Sequence, residues 1–180
     1  AQQEAKLALA RAKEATREAR ELEAEKRELE EAARQAEAQM LAVEEAHRME
    51  EMQAARLKIA AKYQEAFGKI DALDPPFVPD YTTHCWHLYV LRIVPELLTI
   101  DRDQFIVELN ERNVGTSVHF IPVHNMSAYQ KRFGFVDSDF PMAQKHFERI
   151  ISLPLYPTMT DEQVDYVIAA VTDIVETYHK

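Results

Sequence analysis

Trp86-His87-Leu88-Tyr89-Val90-Leu91-Arg92-Ile93 is the stretch from which the fold can be built. Trp86, Leu88 and Val90 alternate with His87, Tyr89, Leu91 and Ile93, so both faces of an extended segment carry apolar groups. A strand of this kind is expected at the centre of a sheet, covered on both sides. Just upstream, Asp74-Pro75-Pro76-Phe77-Val78-Pro79 stops helix, because each proline lacks an amide donor and biases the residue before it away from helical backbone. Downstream, Asp101 starts a helix carrying Phe105, Ile106 and Leu109 on one face, ending near Asn113-Val114-Gly115 with Asn113 as a left-handed cap. Residues 116–121 read as a second strand closed by Pro122, and Pro141 opens a helix running through Phe147 and Ile150. Residues 152–155 read as a short third strand hemmed in by Pro154 and Pro157, with Cys85 packed beside Trp86 in the core strand.

The last helix carries the clearest local signals. Thr160-Asp161-Glu162-Gln163 is a capping box, in which hydroxyl and amide side chains satisfy the first free N–H groups, and Val164, Val167, Ile168, Val171, Ile174, Val175 and Tyr178 follow at helical spacing. Helices and short strands in this order give an α/β (α+β) domain of two layers, a small sheet with helices against it.

Residues 1–48 are of another composition, with fourteen alanines, twelve glutamates, nine lysines or arginines and no glycine, proline or aromatic residue. Alanine loses no side-chain entropy in a helix and long charged residues lose little, so a highly charged, solvated helix is expected. Glu23 with Arg27, Glu30 with Arg34 and Glu44 with Arg48 sit at the spacing of helical ion pairs. A seam runs through Leu22, Leu29, Ala33, Ala36, Met40 and Val43 at coiled-coil spacing, interrupted by Lys26. The preferred reading is a helical extension without a chemical role. The helical pattern continues through Met49, Met52, Ile59, Tyr63 and Phe67 to Gly68, so one helix of about 100 Å is expected from near the start to residue 67.

The 180 residues include 31 acidic and 21 basic ones, a formal net charge of -10, which argues against a phosphate-neutralising surface and hence against nucleic acid. No uninterrupted apolar run is long enough for a bilayer, and the N-terminal sequence lacks the apolar centre and cleavage site of a secretory signal, so a soluble cytoplasmic protein is expected. The single cysteine, Cys85, excludes an internal disulfide and a multi-thiolate zinc site. His84 and His87, three apart near a strand, point to opposite faces, and no acidic-histidine cluster exists, so no metal site is expected. Three glycines at 68, 115 and 134 leave no phosphate-cradling loop, and no nucleophile elbow or hydrolase signature is present. The one chemically suggestive stretch is Thr116-Ser117-Val118-His119-Phe120-Ile121-Pro122-Val123-His124-Asn125. It reads either as a binding turn at a strand end or as a hydrogen-bonded histidine pair that supports the turn.

Three ordered motifs carry a resemblance. His84-Cys85-Trp86-His87-Leu88-Tyr89-Val90, Glu111-Arg112-Asn113-Val114-Gly115-Thr116-Ser117-Val118-His119-Phe120-Ile121-Pro122-Val123-His124, and Ile151-Ser152-Leu153-Pro154-Leu155-Tyr156-Pro157 resemble the C-terminal small domain of the DegT/StrS-type sugar-nucleotide aminotransferases. The likeness covers about residues 49–180 and divides the chain into a helical extension, 1–48, and a small domain, 49–180. It implies the small domain of an aspartate-aminotransferase-type (fold type I) enzyme that uses PLP to move an amino group from glutamate to a UDP- or dTDP-linked keto-sugar. The closest flavour is amination at C4 of a UDP-4-keto-pentose or UDP-4-keto-6-deoxyhexose. By motif match, His119, Phe120 and His124 would face the sugar-nucleotide, with Tyr129 and Trp86 as neighbours. Asn113 stands where the family usually has glycine.

The family's large domain, with its Schiff-base lysine and phosphate cup, has no counterpart in residues 1–48. The resemblance therefore implies no catalytic or cofactor-binding residue within 1–180, no PLP bound to this chain and no transamination by it alone. The small domain's surfaces are expected to be unusually apolar, because a whole enzyme would cover them with its large domain, and a homo-oligomer is among the partners the sequence leaves open. The competing reading is an interaction or scaffold protein, assembled through its helix, with the α/β domain as a passenger.

Overall fold

The computed structural model describes residues 2–180, with side chains described at all of these except 2–5, 7–10, 12, 15 and 19. The chain divides into two units, one ending at Glu50 and the other spanning Glu51–Lys180. Helix α1, Gln2–Phe67, is continuous. Every described side chain from residue 20 to residue 50 is exposed, so in the first unit helix follows from composition rather than from packing. Arg27 closes on Glu23 at 3.1 Å, whereas Arg34 donates its Nε to the Glu30 carbonyl at 3.3 Å. The helix stops at Gly68, whose amide donates to the Gln64 carbonyl at 3.0 Å, and a Cβ there would lie 2.7 Å from that same oxygen.

In the second unit the α1 residues Ile59, Ala60, Tyr63 and Phe67 are buried on one helical face. They join one core with a three-stranded antiparallel sheet of order β1-β2-β3, where β1 is Leu73–Asp74, β2 is Tyr89–Ile93 and β3 is Ile150–Leu153. Tyr89 lies opposite Leu153 and Leu91 opposite Ile151, which places their side chains on one face. Onto this core pack Phe105 and Leu109 of α2, Arg102–Glu111, and the Val164, Val167, Val171 and Ile174 stripe of α5, Asp161–Tyr178. Two short helices, α3 at Ser127–Phe133 and α4 at Pro141–Phe147, lie between α2 and β3 in sequence.

The helix termini follow the local signals. Asp101 accepts the Gln104 amide at 2.9 Å, Thr160 and Gln163 cap each other's backbone, and Asn113 adopts φ 56. Several expectations are corrected. The central strand begins at Tyr89, not Trp86, because Trp86 has φ 47 and gives its N–H to His84 Nδ1 at 2.9 Å instead of to a neighbouring strand. Its second face is not fully covered, with Val90 and Arg92 half-buried, and Cys85 is exposed ahead of the strand instead of packed in it. Residues 116–121 form no strand, only one bridge between Ser117 and Ser152. Pro154 offers no amide to extend that ladder toward Gly115, and in the other direction, where His119 would pair with Ile150, the Ile150 carbonyl accepts from Arg102 Nη1 at 3.4 Å. Finally, α4 ends at Phe147 and Ile150 begins β3, opposite Arg92, so the third strand lies at 150–153.

Candidate functional site

The Ser117–Ser152 bridge is what shapes the site. Ser152 donates its amide to the Ser117 carbonyl at 2.8 Å and accepts from the Ser117 amide at 3.3 Å, which holds the segment after α2 along β3. Beside it lies a cleft of about 670 Å³ lined by His87, Ser117, His119, Phe120, Met126 and Ser152, among others. His119 and Phe120 meet edge to face with ring centroids 4.9 Å apart, and Phe120 is 78% exposed. These two rings form the open wall. At the floor the Ser152 hydroxyl is buried with no hydrogen-bond partner. An unpaired buried hydroxyl costs free energy unless something else supplies the partner, so the floor is chemically unfinished.

Proline at 122 turns the chain into the Val123–Asn125 turn and carries His124 inward. His124 is 5% exposed, stacks on Phe140 at 4.9 Å and leaves Nε2 without a partner. Asn125 donates Nδ2 to Gln144 at 2.8 Å, and its Oδ1 is unpaired. An aromatic chain continues outward from here, with Phe135 edge-on to Phe140 at 5.1 Å, stacked on Phe133 at 5.3 Å, and Phe133 stacked on Tyr129 at 6.0 Å.

Of the five residues singled out in the sequence, the cleft brings together His119 and Phe120. His124 supports the turn behind them, and Tyr129 belongs to the aromatic chain on α3. Trp86 is a core residue, stacked on Tyr89 at 5.6 Å and against His84 at 4.3 Å. His87, Ser117 and Ser152 were not singled out. Ser152 alternates with the buried Ile151 and Leu153, a signal for the opposite face of the sheet, but only the bridge to Ser117 turns that face into a cleft.

The electrostatics of the unit are structural. Arg112 and the Tyr178 hydroxyl, each 2.8 Å from Glu108, hold its carboxyl below the usual range. Burial raises the Tyr63 and Tyr89 phenols far above theirs. Tyr63 donates to the Pro154 carbonyl at 2.9 Å, whereas the Tyr89 hydroxyl is unpaired. Among the described residues no group of three or more histidine, cysteine or carboxylate side chains is placed to hold a metal ion, and no helix is long and apolar enough to cross a membrane.

Residues 34–172 match the model of the DegT/DnrJ/EryC1/StrS aminotransferase family. The chain belongs to that family. It is 51% identical over 122 residues to the spore coat polysaccharide biosynthesis protein SpsC of Bacillus subtilis, covering 67% of this chain and 31% of that protein. It is 33% identical over 125 residues to the UDP-4-amino-4-deoxy-L-arabinose–oxoglutarate aminotransferase of Shewanella sediminis, covering 67% and 32%. The fold is shared with the aminotransferase TlmJ of Streptoalloteichus hindustanus, at TM-score 0.63 and 26% identity over 73% of this chain and 34% of that one. It is shared too with the proposed sugar aminotransferase Spr1654 of Streptococcus pneumoniae in its PLP form, at TM-score 0.63 and 30% identity over 70% and 32%. The chain thus spans about a third of the length of the relatives it matches.

PLP, the group held by Spr1654, calls for a lysine amine and an anion cradle for its phosphate. No lysine or arginine lines the cleft. Lys58 and Lys62 are ion-paired to Asp161 and Asp165, Lys69 to Glu65, and Lys180 donates to the carbonyls of Pro95 and Glu96. The cleft by itself does not fit a PLP site.

Proposed function

We propose that residues 49–180 are the small domain of an aminotransferase that acts on nucleotide-linked keto-sugars, with glutamate as amino donor, and that they form part of the substrate wall. The observation that carries this reading is the cleft beside the Ser117–Ser152 bridge, with exposed His119 and Phe120 beside the unpaired Ser152 hydroxyl and no lysine among its lining residues. Family membership supports the reaction class, and the Shewanella relative supports a UDP-linked 4-keto pentose as substrate type. In this reading Phe120 offers an apolar face to a sugar or base ring, and His119 and the serine hydroxyls offer hydrogen bonds to sugar oxygens. In this reading no lysine of residues 1–180 stands in the family's Schiff-base context, so the isolated chain binds nucleotide-sugar without turning it over.

The test has two parts. With added PLP, glutamate and a UDP-4-keto sugar, the purified chain is expected to form no amino-sugar above a protein-free control, and turnover overturns the reading. In calorimetry with the same nucleotide-sugar, His119→Ala and Phe120→Ala, both at exposed positions, are each expected to weaken binding by about tenfold, the equivalent of about 1.4 kcal/mol. Binding that neither change affects removes the cleft from the substrate wall.

A further inference from the structure

The charged half of α1 has no part in that reading, yet its pattern is specific. Written as a seven-residue repeat abcdefg with Leu22 at d, the sequence puts Leu22, Leu29, Ala36 and Val43 at d and Lys26, Ala33 and Met40 at a. Toward the N-terminus the same register holds alanine at 5, 8, 12, 15 and 19. Leu22, Leu29, Met40 and Val43 are 70%, 65%, 75% and 67% exposed, so the seam lies open to water. Lys26, whose ammonium is 3.9 Å from Glu30, is the kind of polar a residue that fixes register at a cost in stability.

The flanks decide what covers the seam. Position e holds Glu23, Glu30, Glu37 and Glu44, and position g holds Glu18, Glu25, Ala32 and Gln39. Arg20, Arg27, Arg34 and Arg48 all fall at b, one step farther from the seam than e. Two parallel copies would set Glu18 against Glu23 and Glu25 against Glu30, because g of one helix faces e of the next heptad in the other. Two antiparallel copies would set e against e and g against g, again glutamate on glutamate. Self-pairing is opposed in either direction, and the same flanks attract a helix of opposite charge.

We propose that the first unit is one half of a heterotypic coiled coil, whose other half is a helix with apolar a and d residues and lysine or arginine at e and g. Apolar burial along Leu22, Leu29, Met40 and Val43 supplies the attraction, and the glutamates choose the partner.

The probe is a labelled synthetic four-heptad peptide with leucine at a and d and lysine at e and g, titrated into the 180-residue chain at low salt with anisotropy as readout. The expected result is saturable binding that added salt weakens, with none to a peptide carrying glutamate at e and g and none to a scrambled peptide of the same composition. The variant E23K/E30K/E37K/E44K, its helix content checked by circular dichroism, is expected to lose the lysine peptide by about tenfold or more. It is also expected to sediment as a dimer, because Glu18 and Glu25 then face the lysines introduced at 23 and 30. Equal binding of the scrambled peptide reduces the effect to net charge and overturns the proposal. So does binding that the four substitutions leave unchanged, or a wild-type chain that already sediments as a dimer through residues 1–50 at low salt.

Discussion

Leu29 and Phe67 belong to one continuous helix and have opposite surroundings. Leu29 is mostly in water, and Phe67 is fully buried against Tyr63 and Tyr89, with ring centroids 5.4 and 6.3 Å away. In the first unit the backbone is helical because alanine, glutamate and arginine lose little on becoming so, and each exposed pair such as Glu23–Arg27 adds only a few tenths of a kcal/mol. In the second unit the same backbone is held by a core, and removing a core side chain leaves a cavity. Secondary structure alone therefore says little about which residues carry stability.

The largest expected effect puts that contrast on a scale. Phe67→Ala should cost about 3–5 kcal/mol, and Leu29→Ala should change stability by no more than about 0.5 kcal/mol. Trp86, the single tryptophan, sits in the core of the second unit, so its fluorescence during urea unfolding reports that unit, and circular dichroism adds the first. A Leu29→Ala cost well above this range in the chain alone would mean that the seam is already covered.

Next comes the end of the shared helix. Gly68→Ala should cost about 1–3 kcal/mol in the same urea titration, because the new Cβ would meet the Gln64 carbonyl at 2.7 Å and backbone must move to relieve it. An unchanged midpoint would show that the helix end yields freely. Thr160→Ala should be milder, about 1 kcal/mol, through loss of the bond from the Gln163 amide to Thr160 Oγ1 at 3.2 Å. Restoration by Thr160→Ser would confirm the capping origin.

The parts legible in the sequence are those whose cause is local. The Thr160–Gln163 box, the Asp101 cap, the left-handed Asn113 and the stop at Gly68 each depend on a few neighbouring residues, and each is found where the pattern puts it. What sequence could not supply was pairing between distant segments. Whether residues 116–121 become a strand depends on whether β3 is free to pair beyond Ser152, and there Arg102 already donates to the Ile150 carbonyl that His119 would need. Trp86 shows the same limit, since alternation of side chains cannot reveal a φ of 47 that takes it off the strand and into the core beside His84. The cleft was half legible. His119 and Phe120 stand in a motif, but Ser152 gains its place only when Ser117 closes over it, 35 residues away in sequence.

The smallest expected effect concerns charge in the second unit, where two sets of exposed ion pairs respond to pH with opposite sign. Lys58 and Lys62 reach Asp161 at 2.8 and 3.1 Å and hold its carboxyl below the usual range, so their contribution is present above the ordinary carboxylate pKa and is lost as pH falls through the lowered one. His179 Nε2 lies 3.2 Å from Asp71 Oδ1, and Nδ1 lies 3.0 Å from the Lys180 carbonyl; the hydrogen bond with Asp71 raises the imidazole above its ordinary value of 6.5. That contribution is present below the ordinary histidine pKa and is lost as pH rises through the raised one. Solvent screens both, so the shift in midpoint is small. The Trp86-reported midpoint should therefore decline slightly from pH 6 to 8, and Asp71→Asn should reduce that decline while leaving in place the acid limb, to which Asp161 and its lysines contribute. A decline that persists unchanged in Asp71→Asn would show that the C-terminal histidine is not anchored to Asp71 in solution.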